Sequence, residues 1–177
     1  GGRSDDYRRA SHRAGTGGPV TVRWSDEEAE VSLAYAYAED RVFEEGICLL
    51  WNTPRNANDG HRHRLHLQPP WGWMNDPNGL VFDGRFYHLF YQSTPHAVTP
   101  DFLHMHWGHA RSLDLLHWEH LPVALCPDDR GGIFSGSAVM DGGEMVLMYT
   151  YHNRDHVESQ AVARSVDASF TKFEKYP

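Results

Sequence analysis

One carboxylate stands in surroundings suited to chemistry. Asp76 lies within Trp71-Gly72-Trp73-Met74-Asn75-Asp76-Pro77-Asn78-Gly79, among aromatic rings, an amide and turn-forming residues. A carboxylate serves as a nucleophile or as a proton donor and acceptor only when its direction is fixed. Trp71 and Trp73 offer flat apolar faces of the kind that pack against sugar rings. Asp-Pro-Asn-Gly is a turn signal, because proline sets φ while Asn and Gly tolerate positive φ. Taken alone, such a turn uses its Asp merely to cap backbone N–H groups. Here an alternating run, Leu80 to Tyr91, follows at once, which predicts a tight turn holding Asp76 at the mouth of a strand.

The elements that must position it read as a repeat. Leu80-Val81-Phe82, a turn at Asp83-Gly84, and Phe86 to Tyr91 predict a hairpin, with further strands at Met105 to Arg111 and Leu116 to Leu121. The pattern recurs as Ala138-Val139-Met140, a turn at Asp141-Gly142-Gly143, Met145 to Tyr151, Gln160 to Arg164 and Thr171 to Phe173. Val81-Phe82-Asp83-Gly84 matches Val139-Met140-Asp141-Gly142, and Arg111-Ser112-Leu113-Asp114 matches Arg164-Ser165-Val166-Asp167. Trp118-Glu119 likewise matches Phe173-Glu174. Antiparallel four-strand units recurring after roughly 55 residues are the pattern of propeller blades, so the fold class is all-β.

Ahead of the blades, residues 1–19 read as disordered, polar and Arg-rich with a Gly/Pro breaker. Residues 20–51 read as a short β module: Val20 to Trp24, the period-2 run Val31 to Tyr37, then Phe43 and Ile47 to Trp51. Residues 52–64 have linker composition, and residues 65–177 hold the blades.

A formal net charge of -8, with Arg clustered only at the N-terminal end, argues against nucleic acid as a partner. No apolar run approaches a membrane span, so no membrane partner is expected. Cys48 and Cys126 lack metal-site spacing and leave either one bridge or two unpaired buried thiols. The 13 histidines show no paired-helix zinc pattern. His106 and His109 fall on opposite faces of a strand, while His63 and His66 suit a solvated linker. Neither a metal nor a cofactor is expected. Asp128-Asp129 reads as a turn.

Trp73-Met74-Asn75-Asp76-Pro77-Asn78-Gly79 resembles the signature of glycoside hydrolase family 32, the invertases, inulinases, levanases and fructan exohydrolases. The resemblance continues through Phe90-Tyr91-Gln92, His106-Trp107-Gly108-His109-Ala110, His117 to Pro122 and Phe134-Ser135-Gly136-Ser137-Ala138, covering about Leu65 to Pro177. It implies a five-bladed catalytic β-propeller followed by a β-sandwich, of which this chain holds about two blades. The remaining blades and the sandwich are expected beyond Pro177. It implies hydrolysis of sucrose or a β-fructan with retention, using two carboxyls about 5–5.5 Å apart. Asp76 is then the nucleophile. Trp73, Met74 and Asn75 shape the fructose pocket, Gln92 and Ser135 bond the sugar, and Phe134 lines the pocket. A non-catalytic sugar-binding fragment and a fructosyltransferase are the alternatives.

Two departures qualify the resemblance. Phe102 stands where the family carries a tryptophan, which keeps an apolar wall and loses an indole donor. The family's Arg-Asp-Pro stabiliser and Glu-Cys acid motif have no counterpart here: Leu125 precedes Cys126, and His156 follows Arg154-Asp155. Two blades with open edges are expected to be marginal or aggregation-prone in isolation.

Overall fold

The computed structural model describes residues 33–52 and 65–176, together with Thr21, Arg23, Val31 and His63. Residues 1–19, expected to be disordered, the strand expected at Val20 to Trp24 and most of the linker expected over 52–64 lie outside the described residues.

A small hairpin comes first: β1 (Leu33–Ala36) and β2 (Cys48–Asn52) pair antiparallel around a single helical turn, α1 (Val42–Glu45). Then come two meanders. The first contains β3 (Trp73–Phe82), β4 (Tyr87–Thr94), β5 (His106–Ser112) and β6 (Trp118–Leu125), in that spatial order. The second contains β7 (Gly132–Asp141), β8 (Glu144–His152), β9 (Glu158–Ser165) and β10 (Phe173–Tyr176), again in sequence order. Each is one propeller blade. The leading strands of the two blades, β3 and β7, pack against each other.

The internal sequence matches have structural causes. Asp83 Oδ1 accepts the backbone N–H groups of Arg85 and Phe86, both at 2.6 Å, and Gly84 takes φ 103°. Gly142 and Gly143, at φ 59° and 92°, close the equivalent β7–β8 turn. Arg111 faces Glu119 across β5 and β6 as Arg164 faces Glu174 across β9 and β10. In the first blade this register becomes an ion pair of 2.8 Å from a guanidinium that is almost wholly buried.

Asp76-Pro77-Asn78-Gly79 is not a turn. β3 begins at Trp73 and runs straight through it. An edge strand tolerates Pro77, which a central strand would reject. The cost appears as two register shifts in the β3–β4 pairing, one between Met74 and Pro77 and one between Asn78 and Val81. Elsewhere, Phe43 belongs to the helical turn rather than to a strand. The last strand begins at Phe173, because Phe170 at φ 52° and a Val166–Lys172 backbone bond prolong the preceding loop. The cysteines form no disulfide, and neither is buried: Cys48 is exposed on the small hairpin and Cys126 half-buried after β6. Among the described residues no helix is long and apolar enough to cross a membrane.

The small hairpin docks on both blades. Val123 N–H donates to Tyr35 Oη at 3.1 Å, and Lys172 Nζ reaches Glu39 at 2.5 Å. Val42 is buried beneath it.

The main core lies between the blades. Phe90 and Trp107 from the first, both fully buried, meet Tyr149, Leu147 and Ile133 from the second. Burying each such side chain contributes roughly 1.5–3 kcal/mol. Beside them runs a buried polar relay. His88 Nε2 lies 3.0 Å from Asp83 Oδ2 and His88 Nδ1 lies 2.9 Å from His109 Nε2, while the His109 ring stacks on Phe90 at 4.2 Å. Burial works against the Asp83 charge, but the N–H groups of Phe86 and Arg85, with His88, outweigh it and lower its pKa. Burial lowers the pKa of His88, with Asp83 offsetting part of the effect, and it lowers that of His109 further, helped by His88 and Arg111.

Both imidazoles are thus held neutral in the fold but titrate near 6.5 when unfolded. Their contribution to stability is complete above about pH 6.5 and is lost as the pH falls from there towards their lower folded values. The thermal midpoint is expected to drop on acidification through this window, and less steeply in His109→Phe. Parallel midpoint–pH curves for the two proteins would contradict this role.

Candidate active site

The site is built where the strands break register. Between the pairs Met74–Ser93 and Pro77–Tyr91, β3 has two residues, Asn75 and Asp76, opposite Gln92 alone on β4. Between Phe134–Thr150 and Gly136–Tyr149, β7 has Ser135 with no partner on β8. A bulge of this kind bends its strand and re-aims the side chain of the extra residue. The bulged residues of β3 and β7 are thereby turned towards each other. Ser135 Oγ donates to Asp76 Oδ2 at 2.6 Å.

Polar contacts from neighbouring side chains fix this pair. Trp73 Nε1 donates to Asn75 Oδ1 at 2.8 Å. The Asn75 amide then donates to Gln92 Oε1 and, at 3.4 Å, to Asp76 Oδ1. Gln92 is buried, so it reaches the carboxylate through Asn75. Asn78, also buried, donates from Nδ2 to the Asp76 carbonyl and accepts the Gly136 N–H at Oδ1, both at 3.1 Å. Trp107 reaches across from β5, its Nε1 donating to the Phe134 carbonyl at 3.1 Å.

The carboxylate itself is exposed. The Ser135 hydrogen bond, then that of Asn75, hold its pKa below the ordinary value against slight desolvation. No charged neighbour among the described residues contributes to that shift. Asp76 is therefore an ionised, solvent-facing acid directed by neutral donors, which is the state a nucleophile requires.

Most of the residues singled out in the sequence converge here. Asp76, Asn75, Trp73 and Ser135 form the hydrogen-bonded centre, with Gln92 behind it. Met74 is half-buried on the same strand. The Phe134 ring stacks on His152 at 4.3 Å and meets Phe102 edge-on at 5.9 Å. Phe102 is largely exposed and, with His96, His152 and Arg154, lines a groove of about 520 Å³ beside Phe134. Asn78, Trp107 and His152 also belong to the site and carry no signal for it in the sequence. Asn78 sits in the motif but reads there as a turn residue, Trp107 acts across the blade boundary, and His152 stacks on Phe134 from the neighbouring strand of the second blade. Among the described residues no cluster of histidine, cysteine or carboxylate side chains has the arrangement to hold a metal ion. Arg154-Asp155 lies in the exposed β8–β9 loop.

Ser135→Ala removes the largest influence on Asp76. The Asp76 carboxyl, followed by carbon NMR, is expected to titrate at higher pH in this variant. An unchanged titration would show that the Ser135 contact does not persist in solution.

The geometry has relatives. Residues 66–177 match the model of the glycosyl hydrolases family 32 N-terminal domain. The chain is 50% identical over 101 residues to the sucrose-6-phosphate hydrolase of Escherichia coli, covering 55% of this chain and 20% of that protein. It is 44% identical over 132 residues to the levanase of Bacillus subtilis, covering 68% of this chain and 19% of that one. The crystal structure of fructan 1-exohydrolase IIa from Cichorium intybus superposes with a TM-score of 0.60 at 36% identity, over 66% of this chain and 23% of that chain. The chain thus spans about a fifth of the length of the curated relatives it matches. With the family model covering both blades and the motif that builds the site, the chain belongs to glycosyl hydrolase family 32.

Proposed function

We propose that this chain carries the nucleophile side of a retaining β-fructofuranosidase. The observation that carries the reading is the ionised Asp76, aimed by Ser135 and Asn75 from two facing bulges within the family's motif. An oxygen of Asp76 attacks C2 of a β-fructofuranosyl unit, and the bond from C2 to the leaving oxygen breaks. A second carboxyl gives that oxygen its proton. The resulting carboxylate then takes a proton from water, whose oxygen attacks C2 and releases fructose and Asp76. Attack by a sugar hydroxyl in place of water gives fructosyl transfer.

Trp73, Met74 and Phe134 form the walls of the fructose pocket. Asn75, Ser135 and Gln92 hold the carboxylate and offer polar atoms to the sugar. Relatives support sucrose or a β-fructan as substrate: a Bombyx mori β-fructofuranosidase variant was solved with sucrose and the Cichorium exohydrolase with 1-kestose. The second carboxyl and the transition-state stabiliser are assigned to parts of the protein beyond residues 1–177. Further blades of a five-bladed propeller, and a β-sandwich, belong there too. Exposed Leu80 and Phe82 on β3, and Val139 and Met148 on the second blade, are apolar surface suited to such neighbours.

A second reading, a non-catalytic fructose-binding module, is favoured by one observation. No second carboxylate influences Asp76 among the described residues. The two readings separate on Asp76→Asn in the full-length protein. An enzyme is expected to lose at least about a thousandfold in turnover while sugar binding persists. Unchanged turnover would remove Asp76 from the chemistry. Residues 1–177 alone are expected to release no fructose from sucrose, inulin or levan. Clear release would place the acid within them.

A further inference from the structure

We infer that Asn78 is a positioning residue for the Asp76 nucleophile, its amide acting as a strut between β3 and β7 that brings Ser135 onto Asp76. The inference rests on the nucleophile reading of Asp76 above.

The geometry is specific. Asn78 is 5% exposed, and both polar atoms of its side chain are used. Nδ2 holds the carbonyl of Asp76 itself, and Oδ1 holds the N–H of Gly136, one peptide beyond Ser135. Both backbone groups lie at bulges, Asp76 within the one in β3–β4 and Gly136 bordering the one in β7–β8. The amide ties the two bulged segments together where regular strand pairing is broken.

The chemistry demands this residue type. One short arm must offer a donor to one strand and an acceptor to the other, and a primary amide does both. An aspartate would present acceptors alone. A glutamine would be one methylene too long. The strut also works against a stop on the same two strands. Gly79 takes φ 52°, and a Cβ there would stand 3.0 Å from both Ala138 Cβ and a Phe90 ring carbon. At Gly136 any Cβ would collide with the Met148 carbonyl, so the segment that receives the strut has little room to shift. Close packing at Gly79 and Ala138 sets how near β3 and β7 come, and Asn78 sets their relative slide. The contact between Ser135 Oγ and Asp76 Oδ2 then falls at 2.6 Å.

The test compares Asn78→Ala, Ser135→Ala and the double variant in the full-length protein. Two readouts are taken: the NMR titration of the Asp76 carboxyl, and kcat and KM for sucrose. In Asn78→Ala the Asp76 titration is expected to move to higher pH, in the direction of Ser135→Ala. Turnover is expected to fall roughly 10- to 100-fold with KM changed by less than about threefold. The double variant should resemble Ser135→Ala alone, because both changes act through one hydrogen bond.

A folded Asn78→Ala protein whose Asp76 titrates as in the wild type would overturn the inference, leaving Asn78 a stabilising residue only. Effects that multiply in the double variant would overturn it as well. Should Asn78→Ala not fold, Asn78→Gln keeps both polar atoms on a longer arm and carries the same comparison. The titration is independent of turnover. If Asp76→Asn retained full activity, the nucleophile reading would fail while the titration still decided whether the strut sets the Ser135 contact.

Discussion

The close approach of β3 to β7 is the constraint on which the site depends. A hydrogen bond of 2.6 Å between side chains 59 residues apart exists only if two separately folded blades settle at one relative position. Several independent features enforce that position. Trp107, fully buried in the first blade, bonds the Phe134 carbonyl of the second. The N–H of Ile133 is held by the Met105 carbonyl at 2.9 Å. Gly132 leaves no room for a side chain against the Phe102 carbonyl. The strand carrying Ser135 is therefore fixed over its first three residues by the other blade, independently of Asp76.

Charge in this molecule is controlled by two opposite devices. At Asp76, neutral donors stabilise the ionised form on an exposed surface. Hydrogen-bond donors hold a carboxylate without the electrostatic trap of an adjacent cation, which leaves it ionised and free to react. At His88 and His109, deep burial keeps the imidazoles neutral, although Asp83 lies within hydrogen-bond distance of the first. The first device serves chemistry. The second lets polar rings lie beside Phe90 and Phe170 in the interface between blades.

Much of this was legible in the sequence, and the limits have physical reasons. Asp83-Gly84 and Asp141-Gly142-Gly143 announced their hairpins, because those turns are local and need positive φ. The repeated Arg and Glu positions proved to be cross-strand partners in both blades. Asp-Pro-Asn-Gly misled for the same local reason: its composition favours a turn, and only pairing with β4 and packing against β7 make it a bulged strand. Asn78 therefore has the local signal of a turn former, whereas it bridges segments 58 residues apart. The cysteines, whose chemistry favours burial, lie exposed on a small hairpin and half-buried just past a strand end. Asp76, Trp73, Asn75 and Ser135 did converge, since the motif order along the chain reflects the order of strands around the site.

The most direct measurement of the central claim is to trap the intermediate. The full-length protein would be quenched in acid during turnover of a slow fructosyl substrate, digested, and its peptides analysed by mass spectrometry. A covalent nucleophile at Asp76 predicts one fructosyl unit on the peptide containing Trp73-Met74-Asn75-Asp76, localised to the Asp76 side chain and absent from Asp76→Asn. A fructosyl unit on another carboxylate, or its persistence in Asp76→Asn, would contradict the account.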